Sequence, residues 1–160
     1  MNIFILDEDP VIAARMLCDR HIPKMIVESA QMLSTAHRLL DGSPTKRRSR
    51  SGKTIQTYYE FKDMRDELYY TAVHKHHPCT TWTMASIENY NWHYGHFAEM
   101  SKEFTFRRQK KHATWEKIGM ILAAPPINIP KIKRTEFAQA MSHYPECKVE
   151  GDAVQAYRNY

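Results

Sequence analysis

The sequence has no apolar segment long enough to cross a membrane. Its longest apolar stretch, residues 118–124, is far shorter than the roughly 20 residues that a bilayer-spanning helix needs. The apolar run at residues 3–6 is followed at once by Asp7, Glu8 and Asp9, which excludes a secretory signal peptide. These two absences predict a cytoplasmic protein with no membrane partner.

Cysteine is also scarce. Cys18, Cys79 and Cys147 are odd in number, lie far apart and include no Cys-x-x-Cys pair, so the sequence indicates no disulfide framework. The histidine cluster His74–His77 has no second pair of ligands at a zinc-binding interval, and it is better interpreted as a polar loop before a helix. We therefore predict no metal and no cofactor, with the thiols packed as small buried side chains.

Acidic residues are missing from one short segment, and this absence accounts for the whole net charge. The 160 residues include 23 Lys and Arg against 18 Asp and Glu, a net charge of +5. Without the cations of this segment the chain has 18 basic and 18 acidic side chains. Residues 43–57 are therefore predicted to form a basic, mobile loop that contacts a phosphate backbone close to the functional cleft. The five cations are Lys46, Arg47, Arg48, Arg50 and Lys53.

Internal repeats and an alternating strand and helix pattern are absent, whereas helical signals recur along the chain. The sequence predicts a mainly α, compact single-domain helical bundle over residues 1–160, with a short extended N-terminal arm. Asp9-Pro10 and Asp152 are typical helix starts, and three prolines near 125–130 require an extended segment. Helices are expected over about 10–19, 23–40, 58–73, 80–108, 115–123, 136–141 and 153–160.

The second predicted helix carries a polar stripe, because six of its residues recur every three or four positions. Such a set of side chains suits a cleft that binds anions and moves protons, but the pattern is equally typical of a solvated helix face. Aromatic residues beside Arg107 and Arg108, and beside Arg158, suit stacking on bases and contact with phosphates. The stripe consists of His21, Lys24, Glu28, Gln31, Thr35 and Arg38.

Three segments together resemble a known family. They are Arg-His-Ile-Pro-Lys at residues 20–24, His77-Pro78 with the aromatic and basic helix behind it, and Tyr-Arg-Asn-Tyr at residues 157–160. These segments resemble the small all-helical phage-type pyrimidine-dimer DNA glycosylase/AP lyases. The chain is also similar to uncharacterised phage proteins that open with comparable Asp-Pro, Cys-Asp-x-His and Glu-Ser-Ala-Gln patterns.

The resemblance implies a function on double-stranded DNA, in which a damaged or modified pyrimidine is exposed by nucleotide flipping. Family members attack the sugar with the chain's own α-amino group, assisted by a carboxylate. Asn2 is not a small residue, so Met1 is expected to be retained and to carry that amine. His21 stands at the family's carboxylate position, so Glu28 or Asp19 would supply the acid. The residues predicted to contact DNA are Arg20 and Lys24 near the target nucleotide, Gln31, the five cations of residues 46–53, Arg107, Arg108 and Arg158.

The same residues fit two other classes of function. A non-enzymatic DNA-binding or host-interaction protein would use the basic surfaces without any chemistry. An enzyme acting on a nucleotide-derived small molecule would use the polar stripe and need no duplex. The sequence alone leaves these alternatives and the oligomeric state open.

Overall fold

Two long helices, α2 (His21–Asp41) and α5 (Ile87–Arg108), pack against each other in a computed structural model that describes residues 1–49 and 51–160. Helix α1 (Pro10–Arg15) lies against α5, and α4 (Pro78–Ala85) packs on both α2 and α5. This arrangement confirms the predicted mainly α fold. The remaining elements are strands β1 (Ser43–Arg48) and β2 (Ile55–Glu60), helices α3 (Arg65–Leu68) and α6 (Ala153–Asn159), a π-helical turn (Trp115–Gly119), and 3-10 turns at Ile121–Ala123 and Pro145–Cys147.

The predicted N-terminal arm is confirmed, and it is part of the core. Residues 1–6 have no regular secondary structure, yet Ile3 and Ile5 are fully buried in an apolar cluster that includes Met32, Trp92 and Tyr157. Full burial of an aliphatic side chain contributes about 1.5–3 kcal/mol. The arm is therefore held firmly at the surface of the helices, and a second cluster fills the space between α2 and α5.

The helix starts that the sequence predicts are confirmed by their hydrogen bonds. The Asp9 carboxylate accepts from the Val11 amide at 2.7 Å, and the Asp152 carboxylate accepts from the Gln155 amide at 2.8 Å. Helix α2 begins at His21, two residues before the predicted start at Pro23. Pro23 fits in the first turn because the amide groups there need no partner within the helix.

The predicted basic loop over residues 43–57 is wrong for most of that segment, which forms an antiparallel hairpin. Ser43 pairs with Glu60 and Arg48 with Ile55, and the turn contains Gly52 at φ +71°. Residues 55–60 (Ile-Gln-Thr-Tyr-Tyr-Glu) are rich in β-branched and aromatic side chains, which favour strands. We call residues 43–60 the basic hairpin.

The predicted helix over residues 58–73 is also wrong, because only α3 forms there. The guanidinium of Arg38, a residue only 4% exposed, donates to four main-chain carbonyl groups and to the Asp66 carboxylate. Carbonyl groups that face this buried cation cannot accept hydrogen bonds within a helix. The four carbonyl groups belong to Tyr59, Asp66, Tyr69 and Tyr70.

Two further helix predictions differ from the structure. The helix expected over 80–108 is broken at Ser86, whose backbone is extended and whose hydroxyl accepts from the Asn89 amide at 3.0 Å. The helix expected over 136–141 does not form, because the Gln139 side chain bonds the main chain of Val149 and the Ala140 amide bonds the Tyr157 hydroxyl. These residues follow the surface of the domain as an irregular segment.

The predicted burial of the three cysteines is confirmed for one of them. All three cysteines are free, but only Cys79 is buried, whereas Cys18 is exposed and Cys147 is partly exposed.

Residues 125–130 contain no helix, as their prolines require. Within the described residues, no helix has the length and apolar character needed to span a membrane.

Candidate functional site

A polar cavity of about 450 Å³ lies where the N-terminal arm crosses the first turns of α2. Residues 140–143 and Tyr160 close it from the C-terminal part of the chain, and His77 lines it from the start of α4. We call it the amine cavity because the chain's α-amino group lies in its wall. Its ionisable lining groups are the Met1 amine, His21, Lys24, Glu28, His77 and His143.

The α-amino group of Met1 is paired with Glu28. The amine nitrogen lies 3.5 Å from Oε2 of Glu28, whose side chain is 13% exposed. The Met1 side chain is only 4% exposed although the residue as a whole is partly exposed, so its main chain provides most of the accessible area. The amide of Asn2 donates to the same carboxylate oxygen at 3.1 Å, and Lys24 Nζ lies 3.6 Å from the other oxygen. The arrangement places a primary amine and a proton acceptor side by side in an open cavity.

The buried side chain of Asn2 fixes the direction of the arm at this point. Its amide nitrogen donates to the Ala140 carbonyl at 3.1 Å, and its Oδ1 accepts from the Tyr157 hydroxyl at 2.8 Å. The Cys79 thiol lies 3.6 Å from the same oxygen, and burial raises the pKa of this thiol to about 11. Cys79 is therefore a neutral packing group, and Asn2 ties the amine to the C-terminal helix.

An aromatic stack forms one wall of the amine cavity. Phe4 adopts a left-handed backbone conformation at φ 56°, which is uncommon for a bulky residue. Its ring stacks on the His21 imidazole with centroids 4.9 Å apart and lies 6.1 Å from the Tyr160 ring. The strained residue thus places three flat rings together at the cavity, where a planar ligand would find a stacking surface.

The sequence-predicted catalytic residues are brought together except for one. Met1, His21 and Glu28 all line the amine cavity. Asp19 lies elsewhere, 3.0 Å from the Arg107 guanidinium, with its side chain 66% exposed. Between Glu28 and Asp19, the structure therefore favours Glu28 as the carboxylate of the site.

The polar stripe of α2 opens into the amine cavity only in its N-terminal half. Lys24 reaches the cavity mouth with its side chain 70% exposed, whereas Gln31 is half-buried outside the cavity. Thr35 and Arg38 are buried beneath residues 59–73. The periodic spacing thus identified residues of the cavity wall, but only three of the six residues in the stripe line the cavity.

Of the four arginines outside the basic hairpin that are predicted to contact DNA, two have structural partners. Arg107 donates to the carbonyls of Arg15 and Leu17 at the end of α1, and it pairs with Asp19 and Glu103. Arg158 donates to the Leu6 carbonyl and lies 3.6 Å from Asp7, although it remains 45% exposed. The other two, Arg20 and Arg108, are exposed.

The described cations of the basic hairpin are exposed, and the hairpin begins at the opposite end of α2 from the cavity. Asp41, the last residue of α2, lies thirteen positions after Glu28. This offset corresponds to about 20 Å along the helix axis. The first residue of the segment therefore lies at the far end of α2 from the cavity. Lys46, Arg48 and Lys53 are exposed, Arg47 pairs with Glu60 at 2.8 Å and stacks on Tyr58, and Arg50 lies outside the described residues.

His77 lines the amine cavity, whereas its sequence context predicts only the entry to a helix. It is the N-cap of α4, and its Nδ1 accepts from the Cys79 amide at 3.2 Å. The signal that could have identified it is the His-Pro dipeptide itself, because an N-cap imidazole keeps one nitrogen free to face a ligand. His143 also lines the cavity without being predicted, and no local pattern distinguishes it.

Across residues 1–49 and 51–160, no group of three or more His, Cys, Asp or Glu side chains is arranged to hold a metal ion.

Comparison of the chain with protein-family models, curated proteins and solved structures finds no match. The functional interpretation therefore depends on the cavity itself.

Proposed function

We propose that this protein is a DNA glycosylase/AP lyase that acts on a damaged or modified pyrimidine in double-stranded DNA. The observation that carries the proposal is the α-amino group of Met1 at 3.5 Å from Glu28 in an open cavity of about 450 Å³. An amine becomes a nucleophile when a neighbouring base removes its proton, and Glu28 is positioned to do so. The host cytoplasm would be its location if a phage encodes it.

The proposed chemistry needs only groups that the cavity contains. The lone pair of the neutral amine forms a bond to C1′ of the sugar, while the pair of the C1′–base bond leaves with the base. Glu28 accepts the proton that the nitrogen loses, and the departing base takes a proton from water. Glu28 returns its proton to the ring oxygen O4′, so that the C1′–O4′ bond breaks and the sugar ring opens as the imine forms. The C2′ proton then passes to the Glu28 carboxylate and the C3′–O bond breaks, which expels the 3′ phosphate and cuts the strand.

The length of α2 between the cavity and the start of the basic hairpin is compatible with a duplex substrate. Successive nucleotides of a strand rise 3.4 Å along the DNA axis, so the separation of about 20 Å along α2 corresponds to about six base pairs. A duplex lying along α2 would place one nucleotide at the amine cavity and phosphates at the basic hairpin. Lys24 and Arg20, at the start of α2, would then contact the strand next to the target nucleotide.

Borohydride trapping on duplex DNA that contains an abasic site or a pyrimidine dimer tests the proposal. The wild-type protein is expected to form a covalent adduct that peptide mass spectrometry assigns to Met1. Glu28→Gln should reduce the trapping rate by about 100-fold or more without changing DNA affinity. Glu146→Gln, the same change at an exposed position, serves as the matched control.

A second variant tests the amine directly. Adding Gly-Ser before Met1 moves the α-amino group away from Glu28 and should abolish the adduct. Absence of an adduct with the wild-type protein, or an unchanged adduct with the extended chain, contradicts the proposal.

An enzyme acting on a nucleotide-derived small molecule is the second candidate. The cavity volume of about 450 Å³ is within the usual range for small-molecule sites, and the aromatic stack at Phe4 would accept a base without a duplex. If this candidate is correct, free nucleotides raise the melting temperature whereas duplex DNA does not.

A further inference from the structure

His77 is fixed in one orientation at the wall of the amine cavity. As the N-cap of α4 it accepts the Cys79 amide proton on Nδ1 at 3.2 Å, and the ring is half-buried. Met1 and Glu28 line the same cavity. The position of the His77 ring is therefore determined by the start of α4, and its Nε2 is available to another partner.

The hydrogen bond on Nδ1 decides where the ring carries its proton. A nitrogen that accepts an amide proton holds none of its own, so the neutral imidazole of His77 is protonated on Nε2. Within the described part of the chain, Nε2 of His77 makes no hydrogen bond and remains accessible to solvent. Burial lowers the pKa of His77, and the N-terminal ammonium and His74 lower it further against the opposing effect of Glu28. The ring therefore presents a neutral N–H donor.

We propose that Nε2–H of His77 donates a hydrogen bond to the oxygen on the carbon that the Met1 amine attacks. This role rests on the proposed function and concerns its lyase step, for which the substrate class is the aldehyde form of an abasic sugar. His77 would be a catalytic residue, because it touches a reacting atom.

The step balances with the groups present. The lone pair of the neutral amine forms the N–C1′ bond while the carbonyl π pair moves onto oxygen, where His77 stabilises the negative charge that develops. Glu28 carries a proton from nitrogen to that oxygen, giving a carbinolamine. Transfer of the second nitrogen proton releases the oxygen as water and leaves the imine. His77 donates a hydrogen bond throughout and loses no proton.

A fixed neutral donor is well suited to this position. A group that already points at the developing charge needs no reorganisation during the reaction, and removal of one such donor typically slows a reaction by about 100-fold to 1,000-fold. Glu28 is a carboxylate and Lys24 is paired with it at 3.6 Å. His77 therefore supplies a neutral donor in the same cavity.

Two substitutions separate this role from the helix cap. His77→Asn keeps an acceptor at a position where Asn is a preferred N-cap, but it has no group at the place of Nε2. His77→Gln extends an amide N–H toward that place. On a duplex with one abasic site, the single-turnover trapping rate should fall about 100-fold in His77→Asn and recover in part in His77→Gln. The melting temperature and DNA affinity of His77→Asn should stay close to wild type.

The tautomer is measured independently on the wild-type protein by ¹⁵N chemical shifts of the imidazole. An Nε2–H ring between pH 6 and 8 is the expected result, and an Nδ1–H ring overturns the proposal whatever the variants show. Wild-type trapping with an unchanged rate in His77→Asn also overturns it but leaves the proposed function standing. No adduct with the wild-type protein refutes the proposed function and the role of His77 together.

Discussion

Three buried histidines should make the stability of this protein fall steeply between pH 7 and pH 5. His93 and His96 are completely buried on α5, and His37 on α2 is 4% exposed. Burial lowers the pKa of His93 and of His96 to about 3, and lowers the pKa of His37 to about 4. Both nitrogens of His96, and Nε2 of His93, have no partner among the described residues. A charge on these rings would therefore be neither solvated nor paired.

The sign of the effect follows from proton binding. In the unfolded chain each histidine takes up a proton near pH 6.5, whereas in the folded protein it stays neutral until pH 4 or below. The unfolded state therefore binds more protons throughout this interval, and stability falls as the pH falls. Each histidine should contribute a loss of about 2 kcal/mol between pH 7 and pH 5, or about 6 kcal/mol for the three together.

Urea unfolding at pH 7 and pH 5 measures this loss as the difference in the free energy of unfolding. The loss is comparable with the total stability of a typical domain, about 5–15 kcal/mol. Carboxylates interfere little, because the pKa values of Asp63, Asp66 and Glu99 are lowered and these groups remain ionised at pH 5.

His96→Leu isolates one histidine, because its ring makes no hydrogen bond within the described residues that the substitution would break. The loss between pH 7 and pH 5 should shrink by about 2 kcal/mol while stability at pH 7 changes little. A wild-type loss below about 1 kcal/mol would refute the reasoning, as would an unchanged loss in His96→Leu.

Two other predictions concern the buried arginine and the hairpin. Arg38→Met should lower the free energy of unfolding, measured with urea, by about 3 kcal/mol or more, because Asp66 and four carbonyl groups lose their donor. Arg38→Lys should restore only part of the lost stability, since an ammonium cannot reproduce the planar set of donors. Replacing Lys46, Arg48 and Lys53 by Gln should reduce the slope of log affinity for DNA against log salt by about 3. An unchanged slope, or an equal change with the exposed control Lys148→Gln, would contradict DNA contact by the hairpin.

The elements that the sequence predicted are those whose signals are local. Asp9 and Asp152 accept amide protons from residues two or three positions ahead, so their capping role is visible in the sequence. Residues 58–73 behave differently, because their carbonyl groups bond Arg38, a residue at least 21 positions away. A helical pattern cannot reveal a competing partner on another element.

The residues of the candidate site also divide into those that a local sequence pattern predicts and those that it does not. His21, Lys24 and Glu28 belong to one helix, and their spacing of three and four residues is enough to predict that they share one face. The rest of the cavity comes from His77, residues 140–143 and Tyr160, which sequence spacing cannot bring together. The distribution of charge identified the basic segment but not the hairpin that it forms, because strand pairing depends on contacts between residues 43–48 and 55–60.

The position of the amine depends on contacts between distant parts of the chain. Asn2, next to the α-amino group of Met1, is held by the Tyr157 hydroxyl at 2.8 Å and by the Ala140 carbonyl at 3.1 Å. Because α6 carries Tyr157, the position of the arm beside Glu28 depends on the packing of this last helix. The distance between the Met1 amine and Glu28 thus depends on the contact between Asn2 and Tyr157, two residues that are 155 positions apart.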